Sequence, residues 1–268
     1  YGTRRQRQMC IRDSYYHCEN MAYNLVIVAS AEEESSGDNG LNSVLKHLRG
    51  IDFAIVGEPT LLDLAIAEKG LLVLDVTVKG TASHAAHPND DNAIYNTLEV
   101  IRWFQEYEFS KVSDTLGKVK MTVTQIDAGK QHNVVPANCR LVVDIRVNDH
   151  YTNREVLNTI KEALPQTVKV KPRSLHLGSS SIPMEHPIVQ AGISLGRSTY
   201  GSPTLSDQSV LSCPSLKLGP GDSVRSHSAD EFIFIEEVVE GIGLYIDVLK
   251  KVVLPEEIPN TAVLENNK

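Results

Sequence analysis

No apolar run in these 268 residues approaches the roughly 20 needed to cross a membrane, and the N-terminus has no apolar core of a secretory signal. A membrane partner is therefore not expected. The four cysteines, Cys10, Cys18, Cys139 and Cys213, are scattered without a Cys-x-x-Cys pair. That favours reduced thiols in a cytoplasmic setting over disulfides or a thiolate zinc site. Positive charge is also short: 26 Lys and Arg against 34 Asp and Glu give a net charge of −8. A nucleic-acid partner, which needs a basic face, is not expected. There is no Gly-x-Gly-x-x-Gly after a strand, no phosphate-binding loop ending in Gly-Lys-Ser, and no Gly-x-Ser-x-Gly elbow. Any metal must be held by carboxylates and imidazoles. The length suffices for a sizeable core and two modest domains, and no internal repeat is visible.

The first residues stand apart. Thr3 to Ser14 carries four Arg against one Asp and has no periodicity. A basic arm or targeting segment is one reading. The run Arg-Gln-Met-Cys-Ile-Arg-Asp-Ser also resembles translated sequencing-adapter sequence, so residues 1–14 are expected to be non-native or disordered and the true N-terminus to be missing.

Two apolar runs end in carboxylates. Leu25-Val26-Ile27-Val28-Ala29 leads into Glu32-Glu33-Glu34, and Ile51-Asp52-Phe53-Ala54-Ile55-Val56 leads into Gly57-Glu58-Pro59-Thr60. Buried strands that end in charge place it at a sheet edge, where ligands sit in α/β folds. Each taken alone also reads as a solvated loop charge. Between 70 and 175 the pattern changes. Leu72, Leu74, Val76 and Val78 alternate as a half-buried strand. Asn92 to Glu108 is helical, with Ile94, Leu98 and Ile101 on one face. Strands follow at Val119–Ile126 and Cys139–Val147, then a helix carrying Leu157, Ile160 and Leu164, then a strand at Thr167–Lys171. This β-α-β-β-α-β order is the ferredoxin-like split unit. Beyond it the spacing predicts a helical segment from His186 to about Tyr200 and a last helix carrying Val239, Ile242, Ile246 and Leu249, with Ser228, Asp230 and Glu231 suited to its N-terminus. The expected division is therefore 15–69 with 176–254 as an α/β domain, 70–175 as an inserted α+β domain, and 255–268 as a polar tail.

Three histidines lie in suggestive places. His84 follows a strand among small residues, in Gly80-Thr81-Ala82-Ser83-His84-Ala85-Ala86; a surface loop His is the plain alternative. His227 sits in the polar loop Gly219 to Glu231, whose helix-capping residues do not account for it or for the paired glycines. Gln131-His132-Asn133-Val134-Val135-Pro136 also reads as a hairpin connection. Carboxylates plus His without thiolates suit a hydrolytic metal site with an open position for water.

Six stretches occur in family order: Glu32-Glu33-Glu34, Val56 to Thr60, Gly80 to Ala86, His132 to Pro136, Asp144-Ile145-Arg146, and Gly219-Pro220-Gly221 through His227. Together they resemble the co-catalytic zinc family of aminoacylases, acetylornithine deacetylases, succinyl-diaminopimelate desuccinylases and glutamate carboxypeptidases. The likeness runs from about Leu25 to Leu249. Gly-Ser-Pro-Thr-Leu-Ser-Asp-Gln and Gly-Pro-Gly-Asp-Ser-x-Arg-Ser-His look most like the acetylornithine deacetylase branch. The resemblance implies an α/β zinc-hydrolase domain with an inserted ferredoxin-like lid that dimerises. It implies two Zn2+ ions, with Co2+ as a substitute. Glu34 and His227 would be ligands of one ion and Glu58 of the other. Glu33 would be the general base. His84 would reach the partner subunit's site and stabilise the oxyanion. Arg146 would clamp a substrate α-carboxylate, with Asn133 assisting.

The chain also departs from that pattern. No His-x-Asp precedes Glu33, since His17 is followed by Cys18-Glu19, and no bridging Asp is present. Three of five ligands remain, so the catalytic domain is expected to be incomplete and metal binding weakened. The expected activity is removal of an N-acyl group from an amino acid, N-acetylornithine or N-acetylcitrulline in arginine biosynthesis. A desuccinylase, a dipeptidase and a catalytically dead dimerisation module are the alternatives.

Overall fold

The computed structural model describes residues 23–30, 32, 39–226 and 228–252. The chain divides into two compact units, residues 69–179 and the segments on either side of them.

The inserted unit is built on long alternating strands. β3 (Gly70–Lys79) and β7 (Asn138–Val147) pair antiparallel along their whole lengths. β5 (Lys120–Ala128) and β8 (Val168–Pro172) complete a sheet of order β5-β7-β3-β8. Two helices, α2 (Ala93–Glu106) and α3 (Asn153–Ala163), connect the strands. The inward residues of β3, Leu72, Leu74, Val76 and Val78, pack with Leu141, Val143 and Ile145 of β7 and with Val156, Leu157 and Ile160 of α3. This is the expected ferredoxin-like order. α3 starts cleanly because Thr152 and Glu155 form a reciprocal capping box.

One expectation fails in α2. The face buried in the core is Ala93, Thr97, Val100 and Phe104, whereas Ile94 and Leu98 are 38% and 56% exposed. The helix carries two apolar stripes, and spacing alone does not say which one meets the sheet. The sequence also hides a two-stranded sheet, β4 (Ser83–His84) with β6 (Val134–Val135).

The other unit contains α1 (Leu41–Leu45), a short-stranded sheet and two further helices. β1 (Ala54–Val56) runs parallel to β11 (Ser215–Lys217). β11 pairs antiparallel with β2 (Leu64–Glu68), and β2 pairs with β10 (Thr199–Ser202) and β9 (Ser180–Ser181). α4 (Pro187–Ser194) and α5 (Ile235–Lys251) cover Leu62, Leu64, Ile66, Leu216 and Leu218.

Three expectations are corrected here. Leu25 to Ala29 forms no strand, and Val26 and Ile27 are 45% and 37% exposed; none of these residues enters a described ladder, so their apolar character is left unburied. The helix after His186 stops at Ser194, because Gly196 adopts φ +80° and its N–H turns back to the Ile193 carbonyl; Tyr200 belongs to β10. The last helix begins at Ile235 rather than near Ser228, with the Phe234 N–H held by the Glu237 carboxylate at 3.0 Å. Its core face is Gly241, Leu244, Tyr245, Val248 and Leu249, while Val239 is 63% exposed.

Candidate active site

Glu58 lies just past the end of β1, half-buried. Its position is set by main chain. The Thr60 and Leu62 N–H groups both donate to the Gly219 carbonyl, at 3.1 Å each, and the Leu61 N–H donates to Gly221 O at 2.8 Å. The Gly219 N–H returns a bond to Thr60 Oγ1 at 3.2 Å. A Cβ on Gly219 would stand 2.5 Å from the Glu58 carbonyl oxygen, so only glycine permits this approach. Leu61 and Leu62 hold φ of 54° and 65°, left-handed values that non-glycine residues seldom keep without such bracing. Gly221, at φ +88°, turns the facing loop toward Asp222. The paired glycines of this loop thus serve a close approach and a turn.

Tyr200 reports the charge here. Burial raises its hydroxyl pKa, and the carboxylates of Asp63, Asp222 and Glu58 raise it further. Oxygen donors of this kind suit a hard or borderline divalent cation in their chemistry. Among the described residues no three His, Cys, Asp or Glu side chains converge as a complete cation cage. Glu33, Glu34 and His227 lie outside the described residues. Of the acidic triplet only Glu32 is described: at φ 55° its carboxylate takes bonds from the Asn39 N–H and side chain. Ser30, just before the triplet, donates to Asp207 at 2.8 Å.

In the inserted unit the structure brings His84 and Asn133 together. They meet through the β4–β6 pairing, and the Ala85 N–H donates to the Asn133 carbonyl at 2.9 Å. The Ala86 N–H donates to His84 Nδ1 at 3.1 Å, which assigns the ring proton of the neutral form to Nε2. His84 is exposed, so Nε2–H is a donor facing solvent. His87 lies edge-on to His84 with ring centroids 5.7 Å apart. Arg146 is on the open face of β7, and its fork is held by Asp144: Nε to Oδ1 at 2.8 Å and Nη2 to Oδ2 at 3.1 Å. Nη1 makes neither of these two bonds.

A second polar centre escaped the sequence reading. Glu68 and Lys217 form an ion pair at 2.9 Å with side chains 0% and 3% exposed. Lys217 Nζ also donates to Ser202 Oγ and to both oxygens of Thr204, while Ser206 Oγ donates to Glu68. Gln208 bonds Ser215 nearby. The signal was available: Glu68 ends the uninterrupted apolar run Leu64-Ala65-Ile66-Ala67, and Lys217 sits between Leu216 and Leu218. Charges set in two apolar runs, opposite in sign, invite pairing.

Comparison with known proteins gives four findings. Residues 66–171 match the model of a peptidase dimerisation domain. The chain is 29% identical over 245 residues to an acetylornithine deacetylase of Yersinia pseudotuberculosis, covering 83% of this chain and 62% of that one. It is 30% identical over 145 residues to a succinyl-diaminopimelate desuccinylase of Parvibaculum lavamentivorans, covering 50% of this chain and 37% of that one. Among solved structures, the YXEP protein of Bacillus subtilis, described as a dinuclear metal binding peptidase from the M20 family, shares the fold with a TM-score of 0.58. Its identity is 14%, and the match covers 82% of this chain and 62% of that one. The chain thus spans less than two thirds of the length of each of these proteins.

Proposed function

We propose that this chain belongs to the M20 family of metallo-peptidases and amidohydrolases and that the whole protein removes an N-acyl group from an amino acid, with N-acetylornithine or N-acetylcitrulline as substrate. The deacetylase resemblance supports that substrate class; the desuccinylase match keeps an N-succinyl amino acid as the nearest alternative. Glu34 and His227 would hold one divalent ion and Glu58 the other. When bound, the ions supply Lewis-acid chemistry at the acyl carbonyl. Glu33 accepts the proton of the attacking water and returns it to the leaving amine. His84 donates Nε2–H to the developing oxyanion. Arg146, steadied by Asp144, offers its remaining N–H groups to the substrate α-carboxylate, with Asn133 beside His84.

The observation that carries this reading is the β4–β6 pairing. It joins two distant motifs and fixes the His84 tautomer with the proton on the exposed nitrogen. An oxyanion donor contributes roughly 2.7–4 kcal/mol of transition-state stabilisation.

Self-association follows the same unit. Ile94, Tyr95 and Leu98 leave an apolar stripe open on α2, and β5 is an edge strand with Ile126 59% exposed. A homodimer through this face would let His84 serve the partner's site. The test is complementation in the whole protein. His84→Ala and Glu33→Gln protomers are each expected to be nearly inactive, and their heterodimer to recover activity. A proven heterodimer without activity removes the role across the interface. Leu98→Asp should shift the dimer to monomer in sedimentation; an unchanged dimer removes this face from the interface.

A further inference from the structure

The corner of the inserted sheet that holds Arg146 carries more positive charge than its one carboxylate balances. Lys120 opens β5 and stands directly opposite Arg146 of β7, with Thr122 opposite Asp144 in the next row. These four alternate with Met121 and Ile145, which pack into the core, so they share the open face. Cross-strand partners bring their Cβ atoms to about 4.5–5.5 Å, and like charges placed so are destabilising. On the other side of Arg146 stands Leu71, which brings no charge. Lys69, two residues before Leu71, donates to the Lys118 carbonyl at 2.7 Å. Burial lowers its pKa, and the nearby Lys120 lowers it further. Asp144 meets Arg146 with both of its oxygens. Among the described residues no carboxylate pairs with Lys120.

An Arg–Asp pair is neutral as a unit. On its own it holds an arriving carboxylate poorly, because the Asp144 oxygens repel what the remaining guanidinium N–H groups attract. We propose that Lys120 is the second half of the carboxylate clamp: it supplies the uncompensated charge, Arg146 supplies the directed N–H groups, and together they bind the free α-carboxylate of an N-acyl amino acid. The inference rests on reading Arg146 as the clamp. It accounts for a like-charged cross-strand pair kept without a carboxylate for Lys120. Lysine suits the task as a mobile point charge, beside a planar fork that fixes orientation. A charge on an edge strand also discourages strand addition, a role that either sign fills; reversing the sign separates the two. All of these groups belong to one compact unit, so the site needs no other part of the protein.

The test uses the full chain with N-acetylglycine as probe and its carboxamide as the uncharged control. Backbone amide NMR signals at 120–122 and 144–146 are followed at constant ionic strength. N-acetylglycine is expected to shift them saturably, and the carboxamide to leave them in place. Lys120→Met should raise Kd about 2- to 5-fold, the range of an exposed ion pair. Lys120→Glu should raise it further, and Lys120→Arg should stay near the parental value. Added salt should narrow the gap between the parental chain and Lys120→Met. Arg146→Ala is the control for the clamp reading. Weaker binding in Arg146→Ala, with parental binding in Lys120→Met and Lys120→Glu, overturns the role of Lys120 and leaves the clamp standing. Parental binding in Arg146→Ala removes the clamp reading, and the shared site with it. Lys120→Arg as weak as Lys120→Met shows that charge is not what Lys120 supplies and overturns the proposal. Equal responses to acid and carboxamide, or none to either, overturn the site itself. The same signals show whether each variant is folded; if Lys120→Met is not, Lys120→Gln takes its place with the same expected loss.

Discussion

The two units solve the burial problem differently. The inserted unit rests on ten-residue strands whose alternate side chains make one continuous apolar layer under α2 and α3. The other unit has strands of two to five residues, in mixed parallel and antiparallel pairings, and places a charged pair inside. Long regular strands let pattern alone dictate register, because a one-residue slip would turn every apolar side chain outward. Short strands supply little of that guidance. There, register is pinned by specific polar bonds such as Lys217 to Thr204 and Thr60 to Gly219. The contrast predicts that polar substitutions matter most in one unit and volume changes in the other.

The largest effect is expected from Lys217→Met. It leaves the Glu68 carboxylate without its partner, and breaking a buried pair typically costs about 3–5 kcal/mol. Glu68→Leu combined with Lys217→Met should recover most of that loss. Burial already pushes the Glu68 pKa up, opposed by Lys217. A carboxyl group with a raised folded pKa contributes stability below its unfolded value and loses it as pH rises. Lys217→Met should therefore unfold at lower denaturant at about pH 8 than at about pH 5. An equal loss in single and double variants would show that charge pairing is not the organising contact.

Next in size is Leu72→Ala in the inserted core, where the side chain is fully buried. Such truncations cost about 2–5 kcal/mol. Hydrogen exchange should rise along β3, β7 and α3 and stay parental in β2 and β11. Equal loosening of both units would mean they unfold as one and would collapse the comparison. The smallest effect is expected at a helix start. Thr152→Ala removes the capping box of α3 and should cost about 0.5–2 kcal/mol. Phe234, at the start of α5, makes no side-chain cap bond, so Phe234→Ala should leave the start of that helix intact if Glu237 holds it.

How much was legible in the sequence follows the same division. Strands β3 and β7, helix α3 and the ferredoxin-like order could be read because their periodicity is long and unambiguous. The core face of α2 could not, since Val100 and Phe104 compete with Ile94 and Leu98 for it. Leu25 to Ala29 looked like a buried strand from composition, but a strand needs a neighbour, and no ladder among the described residues takes it up. His84 and Asn133 were picked out singly. Their meeting depends on two-residue strands too short to leave a pattern. The glycines at 219 and 221 were visible as unusual, yet what Gly219 makes room for is a carbonyl oxygen from another part of the chain.

That last feature bears on how such a protein can change over generations. Glu58 is placed chiefly by peptide groups, which every residue type supplies alike. Neighbouring side chains other than Thr60, whose hydroxyl bonds Gly219, are thus less constrained than the main chain that carries the carboxylate. The tolerance has one sharp exception. Any residue but glycine at 219 would push a side chain into the Glu58 carbonyl, so a single codon guards a position that many surrounding codons do not.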